Sequence, residues 1–239
     1  MSDDFATLVN ARKPTAERPL LGLTVLVVED SRFACEAMRL LCLRSGARIR
    51  RADCLASAHR HLSVYRPSTV VVDMGLPDGS GAELIHDLAS SAPRVPVLLG
   101  ISGDAGEEQK AMTAGADGFL LKPITSLAAF QQAILDRMPV AERPVGPRKL
   151  SSASISPDPI ALRDDLSHVA EILSTPLDTQ TLGYIAQFLS SLAQCASDTT
   201  LERAAAHLKE GLGNDLPVQA ALGEINDYVE TRLTGTGPL

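Results

Sequence analysis

The 239-residue sequence predicts an α/β domain, a doubly wound sheet of five parallel strands, followed by an all-α helical bundle. Three observations carry this. Short apolar runs alternate with helical periodicity through residues 22–138, a Pro- and Ser-rich stretch interrupts the pattern, and only amphipathic helical stripes follow. These shifts place a tail at 1–19, an α/β domain at 20–139, a linker at 140–158 and a helical domain at 159–239.

The strand runs are 23–28, 69–72, 95–101 and 118–121, with a weaker polar run at 48–51. Most are continuously apolar rather than alternating, as strands covered on both faces are. Helical periodicity spans 32–45, 55–65, 81–90, 105–114 and 126–138, so five βα units fit in about 120 residues. Within them, Asp78 and Gly79 read as plain turn chemistry, and Cys35 and Cys42 as small buried hydrophobes. His59 and His61 read as part of a solvated face. Pro144, Pro147, Pro157 and Pro159 among serines describe an extended linker. Beyond it, Leu162, Leu166, Val169 and Leu173 share a helical face, and so do Leu182, Ile185, Leu189 and Leu192. The same spacing recurs in Leu201, Ala205, Leu208 and Leu212, then in Val218, Leu222, Ile225 and Val229.

Composition narrows the function. With 45% hydrophobic residues the chain can bury two cores, and with 3% aromatics and no Trp it is a poor base-stacking reader of single strands. Net charge is −7, and residues from Pro159 onward carry four basic against eleven acidic side chains, so the whole excess lies there. Such a segment repels phosphates, and no nucleic acid is expected as a partner. Four cysteines lack any CxxC or zinc spacing and read as free thiols of a reducing compartment. The apolar run at 20–28 is too short for a membrane span, and no cleavage site follows it. A cytoplasmic protein without membrane attachment is expected.

In an open α/β sheet, ligands bind beyond the carboxyl ends of the strands. Those ends carry Glu29 and Asp30, Asp73, Ser102, and Lys122 with Pro123. Three converging carboxylates call for a hard divalent cation, Mg²⁺, with Lys122 as fixed positive charge and Ser102 as a hydroxyl donor. Without a Ser/His/Asp set or a Gly-rich phosphate loop, the available nucleophile is a carboxylate, which attacks phosphorus to give an aspartyl phosphate. Taken singly, Asp30 and Asp73 also suit capping of the helices that follow them.

The strings VLVVEDS (25–31), VVVDMGLPDGSG (70–81), VLLGISG (97–103) and GADGFLLKP (115–123) stand in an order and separation that resemble the receiver domain of bacterial two-component response regulators. The resemblance covers residues 22–138 and implies a flavodoxin-like receiver fold. It makes Asp73 the phosphoacceptor, Asp30 a direct Mg²⁺ ligand, Glu29 a ligand through water, and Gly75 a backbone-carbonyl ligand. Ser102 and Phe119 become the switch pair, Lys122 the phosphate-binding cation, and Pro123 the partner of a cis Lys–Pro bond. The implied donor is a sensor histidine kinase or a histidine phosphotransferase, and the chemistry is stoichiometric phosphoryl acceptance rather than enzymatic turnover. Gly75 leaves the acceptor open on one side, and Gly100 and Gly103 are expected to loosen the loop around Ser102. A folded but never phosphorylated pseudo-receiver scaffold is the competing class.

The acidic helices read first as an interaction or dimerisation module. The Leu182–Leu192 stripe could form a seam with a second copy, or simply fill the bundle. The receiver is expected to signal to them through its fourth helix, fifth strand and fifth helix, by way of the linker. The second reading is a histidine-phosphotransfer bundle, because LERAAAHLKEGLGN (201–214) resembles that family's histidine helix. Its register differs, with His207 two residues rather than three before Lys209, and His168 lacks the Lys and Gly.

Overall fold

The computed structural model describes residues 14–140, 143, 154–214 and 218–235. Its main sheet holds β1 (Thr24–Val28), β2 (Arg48–Ala52), β3 (Thr69–Asp73), β6 (Val97–Ser102) and β7 (Gly118–Leu121). They are all parallel, in the order β2-β1-β3-β6-β7. A small antiparallel hairpin, β4 (Gly75–Leu76) and β5 (Gly79–Ser80), follows β3 directly.

Side chains alternate across this sheet because the strand period is two. Val25, Val27, Val71 and Leu99 face α1 (Arg32–Ser45) and α5 (Leu127–Leu135), packing on Met38, Leu41, Phe130 and Ile134. Leu26, Val28, Val70 and Leu98 face α2 (Leu55–Val64), α3 (Gly81–Ser90) and α4 (Glu107–Ala114). Full burial of each such side chain stabilises the fold by about 1.5–3 kcal/mol. The polar strand β2 pairs only with β1, so its arginines sit at a sheet edge where charge discourages further pairing. Asp78 does more than shape a turn: its carboxylate accepts the Leu55 and Ala56 N–H groups at 2.8 and 3.0 Å and so caps α2.

Four helices follow: α6 (Pro159–Leu173), α7 (Thr179–Ala196), α8 (Thr199–Gly213) and α9 (Gln219–Thr234). Asp158, Asp178 and Asp198 cap the first three. The predicted stripes form one core, with Leu166, Leu189, Leu201, Leu208 and Ile225 fully buried. The Leu182–Leu192 stripe is therefore buried by the chain's own helices, the second of its two readings.

Much of the predicted linker lies outside the described residues. Its end packs back on the α/β domain: Ile155 is buried in the α1/α5 core, and its N–H donates to Thr125 O at 2.9 Å. The bundle itself docks on α1 and over the carboxyl ends of the strands, rather than only being joined through the linker. Phe33 of α1 belongs to the bundle core.

Candidate functional site

The strand order brings the predicted residues together. Glu29 and Asp30 follow β1, Asp73 ends the neighbouring β3, Ser102 ends β6 and Lys122 follows β7. Carboxylate oxygens of Glu29, Asp30 and Asp73 lie within 4.8 Å of one another. Lys122 Nζ stands 2.7 Å from Glu29 Oε2 and 3.1 Å from Asp73 Oδ2, and all three side chains are buried. Ser31 caps α1 and Ser80 caps α3, so neither aspartate carboxylate is taken up in capping the helix that follows it.

One buried ammonium faces three carboxylates, which leaves the cluster two negative charges in excess when all are ionised. Burial pushes Asp73 up to about 7, with Glu29 adding and Lys122 opposing. Burial likewise raises Glu29 to about 7, and burial with the Asp73 charge raises Asp30 to about 6. Burial alone would depress Lys122, but Asp73 and Glu29 reverse this and hold it charged, well above the ordinary lysine range. Glu29 Oε2 is buried, and among the described residues its one polar contact is the charge-assisted one from Lys122 Nζ at 2.7 Å, which leaves a lone pair unused. Spare negative charge, an under-used buried oxygen and hard oxygen donors together fit a divalent cation such as Mg²⁺.

The remaining predicted residues fall as follows. Gly75 lines the same cleft. Ser102 also lines it, with its Oγ accepting the Asp104 N–H at 3.1 Å. Lys122–Pro123 is a cis peptide. Phe119 on β7 pairs with Gly100 on β6 and packs into the α2–α4 side of the core. Gly100 therefore loosens no loop: it is a buried strand residue whose added Cβ would lie 2.8 Å from Ala111 and 3.2 Å from the Phe119 ring. His168 and His207 do not line the cleft. Their side chains are about half exposed, and His207 Nδ1 sits 3.0 Å from Glu224.

The bundle supplies groups that the sequence reading missed. Tyr184, Gln187, Ser191 and Gln194 fall on one face of α7, opposite its leucine stripe. Tyr184 O–H donates to Asp30 Oδ2 at 2.7 Å, and Lys122 Nζ donates to Ser191 Oγ at 3.0 Å. Gln187 occupies the space that a side chain at Gly75 would fill, and Gln194 Oε1 lies 2.6 Å from where a Gly103 Cβ would be. The acceptor is thus not open beside Gly75. From α6, Asp165 accepts hydrogen bonds from Arg32 N, Phe33 N and Ser31 Oγ at 2.8, 3.0 and 2.7 Å. An anion there satisfies otherwise unpaired N–H groups at the positive end of α1. The only legible signal for these contacts was the i, i+3, i+7, i+10 spacing of the polar residues on α7.

A family model, Response regulator receiver domain, matches residues 25–134. The sequence is 38% identical over 104 residues to "Probable transcriptional regulatory protein TcrX" of Mycobacterium tuberculosis, covering 43% of this chain and 44% of that protein. It is 29% identical over 145 residues to "KDP operon transcriptional regulatory protein KdpE" of Escherichia coli K12, covering 60% of this chain and 59% of that one. The chain spans about half the length of these curated relatives. A putative response regulator structure from Chloroflexus aurantiacus aligns with a TM-score of 0.45 at 26% identity, covering 48% of this chain and 98% of that one. Residues 25–134 are a receiver domain of the response regulator family, joined in this chain to an all-helical C-terminal region.

Proposed function

We propose that Asp73 accepts a phosphoryl group from a phosphohistidine of a sensor histidine kinase or histidine phosphotransferase, and that the helical region carries the response to a protein target. The observation that carries this reading is the single cleft holding Asp73, Glu29, Asp30 and Lys122. Glu29, Asp30, Asp73 and the Gly75 carbonyl would hold Mg²⁺, which when bound neutralises charge on the phosphoryl oxygens. An Asp73 carboxylate oxygen attacks phosphorus, the N–P bond breaks, and the imidazole leaves with the bonding pair and takes up a proton. Lys122 stabilises a second phosphoryl oxygen and Ser102 O–H donates to a third. Attack by water at phosphorus later returns the carboxylate and inorganic phosphate. The event is stoichiometric, one group per chain.

For the output, excess negative charge in the last third supports a protein target over DNA. The curated relatives are transcriptional regulators by name, and the match to TcrX covers only 43% of this chain. Among the described residues no helix is long and apolar enough to cross a membrane, in keeping with action in the cytoplasm. The test is incubation with acetyl phosphate and Mg²⁺ followed by intact mass. A gain of one phosphoryl group in the wild type, absent in Asp73→Asn, is expected. An unmodified wild-type chain would replace this reading with a pseudo-receiver scaffold.

A further inference from the structure

We infer that the polar face of α7 is a built-in cap on the acceptor cleft, and that the receiver must release the bundle before Asp73 exchanges phosphoryl groups with a protein donor. The inference rests on Asp73 being the acceptor, and it is carried by what α7 touches.

An ammonium has three N–H donors, and Lys122 already has three oxygens around it, from Glu29, Asp73 and Ser191. To hold a phosphoryl oxygen it must give one up, and the Ser191 hydroxyl is the uncharged one. Asp30 is engaged on both oxygens, by Ser31 N–H at 3.0 Å and by Tyr184 O–H at 2.7 Å. The cap thus uses bonding capacity at two of the groups that phosphoryl transfer needs.

The receiver is shaped for this contact. Gly75 and Gly103 have no side chains where Gln187 and Gln194 enter, so the two openings in the cleft wall are filled by the same helix. A cavity of about 540 Å³ remains between Asp73 and α7. It has room for a small phosphodonor, which still has to displace Ser191 from Lys122 and Tyr184 from Asp30 before transfer, so labelling by a small donor also reports the cap. A phosphohistidine presented by another protein has to reach Asp73 through the side of the cleft that α7 lines. The latch sits beside the cleft, where Asp165 takes the Arg32 and Phe33 N–H groups and Phe33 enters the bundle core. Ion pairs of Arg32 with Asp164 at 2.9 Å and Lys209 with Asp104 at 3.5 Å lie at the exposed margin and add little.

If the closed form disfavours the phosphoryl group, linkage requires that the phosphoryl group disfavour closure by the same factor. Asp165→Arg in the full chain removes the latch without altering a cleft residue. It should raise the rate of labelling by acetyl phosphate with Mg²⁺ about tenfold, a factor within the usual coupling range. In the wild type, Mg²⁺ with beryllofluoride should speed amide hydrogen exchange at residues 32 and 33, whose N–H groups the latch protects. This second measurement stands even if the variant folds poorly. Equal labelling rates in a folded variant, or unchanged exchange at 32 and 33 with beryllofluoride bound, would overturn the cap and leave the acceptor intact. Absence of label on both proteins would overturn the acceptor reading and the cap together.

Discussion

Raising the pH of the metal-free protein from 5 to 7 should weaken the receiver. Glu29 and Asp73 are pushed up to about 7 and Asp30 to about 6 because burial penalises their charged forms. A carboxyl raised on folding binds its proton more tightly in the folded than in the unfolded chain. Its contribution is therefore largest at acid pH and is lost as pH rises from the unfolded value, near 4, through the folded one. One proton held by the folded cluster costs about 1.4 kcal/mol per pH unit, or about 3 kcal/mol between pH 5 and 7. The carboxylates titrate as a coupled set, so one shared proton is the appropriate count. Glu36, which hydrogen bonds from Arg39 hold below the ordinary range, has the opposite sign but acts at more acid pH. The assay is urea denaturation in chelator at pH 5, 6 and 7, comparing wild type with Asp73→Asn. Removing Asp73 removes one titrating group and its repulsion of Glu29 and Asp30, so the variant's stability should gain on the wild type as pH rises. A wild-type-minus-variant difference that stays constant from pH 5 to 7 would refute the reasoning.

Other perturbations follow from the same structure. Magnesium binding at pH 6.5 should release protons, seen as a buffer-dependent heat in calorimetry; a buffer-independent heat would mean the carboxylates are already ionised. Lys122→Met should slow acetyl phosphate labelling about 100-fold or more, the usual loss when one preorganised charge partner is removed. It should also raise the carboxyl pKa values further, which infrared titration of the carboxyl bands would report. Leu189→Ala, at a fully buried bundle position, should cost about 3 kcal/mol in chemical denaturation, while a cost below 1 kcal/mol would contradict the assigned core. Phe33→Ala should make α1 and α6 exchange amide hydrogens faster, because that ring is shared between the receiver and the bundle.

The receiver was readable in the sequence because its physics is local. Continuous Val and Leu runs mark strands covered twice, and functional side chains at strand ends are gathered by the sheet order alone. The α1, α3 and β7 ranges agree with the structure to the residue. Other edges moved: β3 and β6 run on into Asp73 and Ser102, β2 runs on to Ala52, β6 starts at Val97 rather than 95, and α5 ends at Leu135 rather than 138. The four bundle stripes were equally legible, since helical spacing of leucines needs no knowledge of the partner. What covers what was not. A seven-residue repeat is the same whether a second copy or the next helix buries it, so the seam with a second copy could not be separated from a bundle core. Gly75 and Gly103 looked like gaps because the side chains that fill them lie more than 90 residues away, on α7. Asp165, one of two adjacent aspartates on an acidic helix, reads as solvated until α1 is placed beside it.

The most direct test of the account is to find which atom receives the phosphoryl group. Borohydride reduces an acyl phosphate of aspartate to homoserine, so the protein labelled with acetyl phosphate and Mg²⁺ can be reduced, digested and mapped by peptide mass. Homoserine at position 73, dependent on the cation, is predicted. Reduction at another carboxylate, or acid-labile phosphate on a bundle histidine with position 73 unchanged, would contradict it.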